Sequence, residues 1–419
     1  MGLAAAHQFV KLGFRPDIYE ADDRVGGMTA SFNFSGIQIE RFYHFHCTSD
    51  HDLFTMLSDL NLLSKLKWTK TKMGFWYNNK LQNWGNPIAL INFKGLGIIS
   101  KIRYGAHIFL STKKKTWSDL DKKTAVKWIK SSIGIEAYNV LWKKLFELKF
   151  YHFANKISAA WIWSRIFRVG NSRLNVFSEK LGYLEGGSQT LLDALSCFIK
   201  KGGGKIFLKS KVTEIVVQKG RVQGILLDKN FINYDLVFST IPTPFVSKII
   251  PALPKKIKGM YESIENIAVV CVIHRLRKKI TDNFWLNIND DNMDIPGMIE
   301  YSNLNRSKKN IVYIPFYMPQ KHYKFSESNS IFIDKSKKYI MKINPLITKD
   351  DFLDSTANRY LFAQPICMPR HLTKLPPIAT AIEGLYIADT SYYYPNDRGI
   401  SESVGLGKKI ATEIFYKNI

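Results

Sequence analysis

Residues 1–29, which run Met1-Gly2-Leu3-Ala4-Ala5-Ala6-His7 and continue through Gly13 and Glu20 to Arg24-Val25-Gly26-Gly27-Met28-Thr29, decide how the rest of the chain is read. Leu3 to Leu12 carries Ala4, Ala5 and Ala6 on one side, which predicts a helix lying close against a sheet, and Gly13 stops it. Pro16-Asp17-Ile18-Tyr19 predicts a short strand, and Glu20 ends it 18 residues after Gly2 (20 − 2 = 18). In a dinucleotide-binding βαβ unit, the third glycine of G-x-G-x-x-G sits where the helix packs on the sheet. An acid at the end of the next strand takes hydrogen bonds from the adenosine ribose. Gly2 and Glu20 stand at those two places. The strand and the two glycines that should come before Gly2 are absent, because Met1 directly precedes it. We expect an in-frame apolar strand with G-x-G-x to be encoded upstream.

The chain of 419 residues is long enough for two or three domains with sizeable cores, and 46% hydrophobic with 13% aromatic residues describes a globular protein. Sixty basic against 35 acidic residues leave a formal charge of +25. That excess is either general surface basicity or attraction to an anionic membrane or phosphorylated substrate. No helix-turn-helix, zinc or RNA-binding motif accompanies it, so nucleic acid is not an expected partner. Cys47, Cys197, Cys271 and Cys367 form no C-x-x-C pair, which predicts neither a metal site nor a disulfide framework and fits a reducing cytoplasm. No run approaches the roughly 18 apolar residues of a membrane span. The expected location is the cytoplasm, with peripheral docking on the inner face of the membrane as its extension.

Further along, Ser31–Phe34 and Ile37–Glu40 alternate around Ser35-Gly36 as a hairpin, and Ser49 with Asp52 predicts a capping box for a helix through Leu60. From Trp68 to Ile166 the pattern reads as mostly helical, too long for a Rossmann connection and therefore an inserted domain. A helix over Gln189–Lys200 and strands at Lys205–Leu208, Val212–Val217, Val222–Leu227 and Tyr234–Thr240 mark a return to the first domain. A second excursion carries strands near Ala268–His274 and Ile311–Phe316. Gly384–Asp389 is then a strand ending in an acid, and Ser401–Phe415 a closing helix.

Three separated motifs share one theme: Gly2, Glu20 and Arg24-x-Gly26-Gly27; Gly182-Tyr183-Leu184-Glu185-Gly186-Gly187 followed by Val212; and Gly384–Asp389 followed by Pro395-Asn396-Asp397-Arg398-Gly399-Ile400-Ser401. Together they resemble the FAD-dependent amine-oxidase and protoporphyrinogen-oxidase-like flavoproteins. The resemblance implies an α/β fold, a discontinuous Rossmann-like FAD-binding domain (1–48, 182–245 and 376–419) interleaved with an α+β substrate domain (49–181 and 246–375). It places Glu20 at the adenosine ribose and the backbone of Val212 at the adenine. Arg24, Gly26, Gly27, Met28 and Thr29 would lie along the pyrophosphate and flavin, Asp389 near the ribityl chain, and Gly399, Ile400 and Ser401 beneath the flavin ring. A helix N-terminus there would offer free N–H donors to a reduced, anionic flavin. No cysteine adjoins the last motif, so FAD is expected to be non-covalent. Gly405 and Gly407 in the closing helix predict close packing on the cofactor.

Gly36-Ile37-Gln38-Ile39-Glu40-Arg41-Phe42-Tyr43-His44-Phe45-His46-Cys47-Thr48 is the best active-site candidate outside these motifs. Extended, it puts His44 and His46 on one side, and His44 is the candidate to exchange a proton with substrate. The stretch also resembles UDP-galactopyranose mutase, a related flavoprotein. Ile88–Leu110, with Lys94, Lys101 and Arg103 and then Lys113-Lys114-Lys115, suits a basic face for a membrane, or simply a solvated helix. The implied function is an oxidoreductase moving a hydride from a small organic substrate to flavin N5. A mutase-like isomerase acting on a nucleotide sugar is the second reading, and a truncated, non-catalytic remnant the third.

Overall fold

The computed structural model describes residues 1–175, 177–307 and 309–417. Its opening helix, Gly2–Lys11, buries Ala4, Ala5 and Ala6 as the small side chains predict. These residues let the closing helix, Ile400–Lys417, approach until a Cβ on Gly407 would stand 2.7 Å from the Met1 carbonyl oxygen and 3.2 Å from the Ala5 nitrogen. Gly405 abuts the Asp52 side chain. Both glycines therefore serve contacts within the protein, which corrects their assignment to cofactor packing.

Two parallel strand pairs follow the Rossmann pattern. Asp17–Tyr19 pairs with Lys205–Phe207, and Val237–Ser239 pairs with Leu385–Ile387, as separate two-stranded sheets. Between them in sequence, Glu214–Gln218, Arg221–Leu227 and Asn230–Asn233 form a three-stranded antiparallel sheet. Its first strand starts two residues later than expected, leaving Val212 in the preceding loop.

Residues 73–84 and 266–365 build one seven-stranded sheet in the order Phe352–Pro365, Asn266–Leu276, Ile311–Pro319, Gly297–Glu300, Trp285–Asn289, Met73–Tyr77 and Lys80–Trp84. The helical expectation for the stretch beginning at Trp68 was wrong for its first part: Leu66–Thr71, Met73–Tyr77 and Lys80–Trp84 are strands. Asn78 and Asn79 both take positive φ (51° and 55°), the backbone of a two-residue hairpin turn, and the flanking aromatic and β-branched residues favour strands. Beyond Asn86 the helices do appear, as Pro87–Asn92, Ile98–Lys113, Ala125–Tyr138, Lys144–Phe150 and Ala159–Asn171. They cover one face of the sheet, packing Ile129, Phe146, Phe150 and Trp161 with Val269, Cys271 and Ile273. The alternate residues Ala268, Val270 and Val272 face the helix Asn329–Ile343 through Phe316 and Phe332. Strand Asn266–Leu276 is thus buried on both sides, which explains its unbroken apolar run.

The expected Ser49–Asp52 capping box does not form. Helix His51–Asp59 starts after Asp50, whose carboxylate instead accepts the Cys47 N–H at 3.0 Å and the Arg168 guanidinium at 2.8 Å. A charge held across 118 residues outcompetes a local cap. Among the described residues, no helix is long and apolar enough to cross a membrane.

Candidate functional site

Past Glu20 the chain must reverse beneath the helix Ser188–Lys201. Gly26 (φ 109°) and Gly27 (φ 56°) make that reversal, and a Cβ on Gly26 would collide with Leu192 and lie 3.3 Å from the Ala30 nitrogen. The turn is closed by the Thr29 hydroxyl, which donates to the Gly26 carbonyl at 2.7 Å. Successive N–H groups of such a turn form a concavity suited to an anion.

Gly2 opens the first helix with its Cα facing Thr240, where a Cβ would stand 3.2 Å from the hydroxyl oxygen. Glu20 donates its N–H to Phe207 (2.9 Å) and accepts the Ser210 N–H (2.8 Å). Val212 lies two residues on, packed on the cluster that holds Ile387, with no main-chain hydrogen bond of its own among the described residues. Burial raises the Tyr360 phenol, and the charges of both Glu20 and Asp389 act on it as well. The strand-end acids of the first and third motifs therefore both lie within electrostatic range of one aromatic side chain, and Val212 packs on the cluster that holds Ile387 of the third.

Several side chains are already engaged. Arg24 is forked onto Asp23 (2.6 and 3.0 Å) and donates to the Ser31 carbonyl at 2.9 Å. The Asp389 carboxylate accepts the Thr243 N–H at 2.7 Å and the N–H and hydroxyl of Ser391, tying the ends of Val237–Ser239 and Leu385–Ile387 together. Ser401 turns toward the helix His51–Asp59 and accepts the Leu53 N–H at 3.3 Å. Ser403, one residue in from Glu402, takes the place on the cavity side.

That cavity, about 700 Å³, lies between the start of the closing helix, the seven-stranded sheet and the helical wall. Met28, Thr29, Arg398, Gly399 and Ile400 are among its lining residues, as are Pro87, Leu90, Gly105 and Phe109 of the helical wall. His44 faces it as well, with Nδ1 held 2.8 Å from Glu40 Oε2. The other Glu40 oxygen accepts the Ser188 N–H at 2.7 Å. Burial works against the charge on Glu40, but the bonds from His44 and Ser188 outweigh it and hold the carboxyl below its usual range. His46 turns away: its backbone bridges to Gly182 (2.8 Å each way) and burial pushes its imidazole down to about 4. Of the two histidines, only His44 reaches the cavity.

Deeper in, Arg165 pairs with Asp397 at 2.9 Å, and Gln364 donates to the same oxygen at 2.5 Å. Burial raises Asp397, yet Arg165, Lys149 and Arg398 more than offset it and keep the carboxyl ionised. Glu40, Lys149, Arg165, Arg168 and Tyr317 were not picked out from sequence. Glu40 could have been, four residues before His44 in the same stretch. Arg165 and Arg168 share a helix face with Trp161, a spacing visible in the sequence but not distinguishable from core packing.

The surroundings fit a bound dinucleotide. The Gly26–Gly27 backbone turns with two positive φ angles, packed on Leu192 at Gly26 and open on the side of Gly27. Ser239 Oγ, at the end of strand Val237–Ser239, and Glu402 Oε2, in the first turn of the closing helix, are buried with no hydrogen-bond partner among the described residues.

Comparison with known proteins gives the same direction. The model for the flavin-containing amine oxidoreductase family matches residues 2–391. A putative protoporphyrinogen oxidase from Exiguobacterium sp. 255-15 superposes with a TM-score of 0.74 at 16% identity, over 99% of this chain and 96% of that one. An oxidoreductase from Methanosarcina mazei gives 0.72 at 16% identity (98% and 97% covered), and cyclohexylamine oxidase from Brevibacterium oxydans IH-35A 0.73 at 12% (99% and 96%). No curated protein sequence matches.

Proposed function

The chain belongs to the flavin-containing amine oxidoreductase family, and from that premise we propose that it is an oxidoreductase holding FAD without a covalent link. When bound, FAD would accept a hydride from a small organic substrate at its N5. The observation that carries this reading is the Gly26–Gly27 turn together with Glu20 and Asp389, whose charges both act on Tyr360, and a cavity lined by Met28, Thr29, Gly399 and Ile400. Glu20 would take the adenosine ribose and the free backbone of Val212 the adenine. Gly2 lets the opening helix lie close, and Gly26 and Gly27 face the pyrophosphate with the charge of Arg24 beside them. Met28, Thr29, Gly399, Ile400 and Ser401 would hold the flavin ring, the last two through N–H groups of the helix start. Asp389 shapes the ribityl end by locking two strand ends.

His44 supplies the proton chemistry. Glu40 fixes its Nδ1, so the opposite nitrogen is the one offered to substrate. Tyr43, Phe45, Phe284 and Trp285 wall the space and exclude water.

Purification with added FAD tests the reading. A yellow protein that releases intact FAD on acid denaturation is expected, and a colourless one overturns it. Binding of a UDP-sugar only after flavin reduction, with turnover that consumes no oxidant, would instead favour the isomerase.

The helical wall also supports peripheral membrane docking. Ile98 and Ile99 are 75% and 71% exposed, and Ile88, Ile91, Ile102, Phe109 and Leu110 are exposed beside them. Lys94, Lys101, Arg103 and Lys113–Lys115 accompany them, with no acid between residues 86 and 118. An apolar, basic face of this kind matches an anionic bilayer such as the inner leaflet. Co-sedimentation with phosphatidylglycerol vesicles, lost on Ile98→Glu/Ile99→Glu, is the expected result; equal recovery with and without vesicles rejects docking.

A further inference from the structure

The charged groups lining the cavity are unbalanced. Lys149, Arg165, Arg168, Arg173 and Arg398 face it against a single acid, Asp397. Most of these cations have partners in the protein. Arg165 holds Asp397 (2.9 Å), Arg168 forks onto Asp50 (3.0 and 2.8 Å), Arg173 donates to the Gly85 carbonyl (2.8 Å), and Arg398 to the Ala363 carbonyl. Lys149 is different. It closes the helix Lys144–Phe150 with its ammonium over the rings of Tyr317 (5.0 Å) and Phe150 (5.6 Å), and makes no ion pair or hydrogen bond among the described residues. Burial holds it well below the usual lysine range, Arg165 and Arg398 add to that, and Asp397 opposes them. An ammonium kept from water without an acceptor is costly, and the cost is removed when a ligand brings an anion.

The rest of the cavity is apolar. Trp142, Phe146, Ile162 and Ile166 line it beside Lys149, together with Leu90 and Phe109. We propose that the cavity takes an elongated apolar substrate carrying an acidic group, a carboxylate or phosphate, and that Lys149 binds that group beside Arg165. This deepens the oxidoreductase reading and rests on it for the word substrate. Lys149, Asp397, Arg398 and Gly399 all line this one cavity, so the acidic group would be held in the same chamber as the reacting bond. A protonated amine, the kind of substrate for which the family is named, would bring a further positive charge to a place where Arg165 and Arg398 already disfavour one. Lys149 is a binding and specificity residue in this account.

The test compares decanoate, decyl phosphate, decanol and decylamine with the purified holoprotein, each below its micelle concentration. The readout is quenching of fluorescence from Trp142 and Trp285 in the cavity wall, with flavin absorbance recorded separately. One or both acids should bind roughly 10- to 100-fold more tightly than the alcohol, the span expected for a charge-assisted hydrogen bond, and the amine most weakly. The tighter acid identifies the group. Lys149→Met should abolish that preference while leaving decanol affinity unchanged, and Lys149→Arg should retain it. Equal binding of acid and alcohol, or a preference that survives in Lys149→Met, overturns the proposal. A colourless protein that still prefers acids would sink the flavin reading alone, whereas a yellow one without the preference would sink only this inference.

Discussion

The Gly26–Gly27 turn and the cavity wall at Lys149 and Arg165 belong to one molecule but are specified differently. The turn is a matter of backbone: two positive φ angles and a space too small for a Cβ, all encoded within a few residues. The wall is a matter of side chains brought from far apart, with Arg165 and Asp397 separated by 232 residues and Arg168 and Asp50 by 118. A site of the first kind depends on what is left out of the chain. A site of the second kind depends on what is put in, and it can change ligand without changing fold. That difference accounts for relatives at 12–16% identity sharing nearly the whole architecture.

Mutations can break or sharpen this contrast. The largest effect should come from His44→Ala: turnover falls by roughly 10²–10⁴-fold, the usual weight of a positioned acid or base, while flavin content measured by absorbance stays constant. Loss of flavin instead would mean that His44 belongs to the cofactor face. Gly26→Ala should do the reverse. A side chain forced into that φ and against Leu192 costs about 1–3 kcal/mol, so FAD affinity by titration should weaken roughly 5- to 150-fold, and retained affinity would show that the turn is replaceable. The smallest effect concerns the sheet. Burial raises the Glu300 carboxyl to about 7, against bonds from the Ile280 and Thr281 N–H groups that favour its charge. The folded state then binds a proton that the unfolded state gives up near 4.5, so this group's stabilising contribution is greatest below that pH and is lost as pH rises toward 7. Glu300→Gln should flatten the fall in Tm across that window by a few degrees; an unchanged slope would place the pH dependence elsewhere.

The same contrast governs what could be read from sequence. Gly26, Gly27, Glu20 and Gly399-Ile400 were legible because a glycine or a strand-end acid has few other uses at such spacing. The parallel pairs and the opening and closing helices followed from them. The strands at residues 66–84 were legible too, through Asn78-Asn79, but were subsumed into the helical pattern that begins after Asn86. Asp50 was overlooked because its partner, Arg168, is remote. Lys149 carries no local signature at all: nothing around it predicts that Tyr317 will come to lie beneath its ammonium.

The contact of Gly407 with Met1 and Ala5 has a consequence for biosynthesis. Ala4 can pack on Leu53, Leu191 and Leu195 early, whereas Ala5 and Phe9 wait for Ile410, Ala411 and Ile414, so that part of the opening helix stays wet until Ile400–Lys417 has left the ribosome. The nascent chain should therefore be a client for chaperones until that closing helix is available.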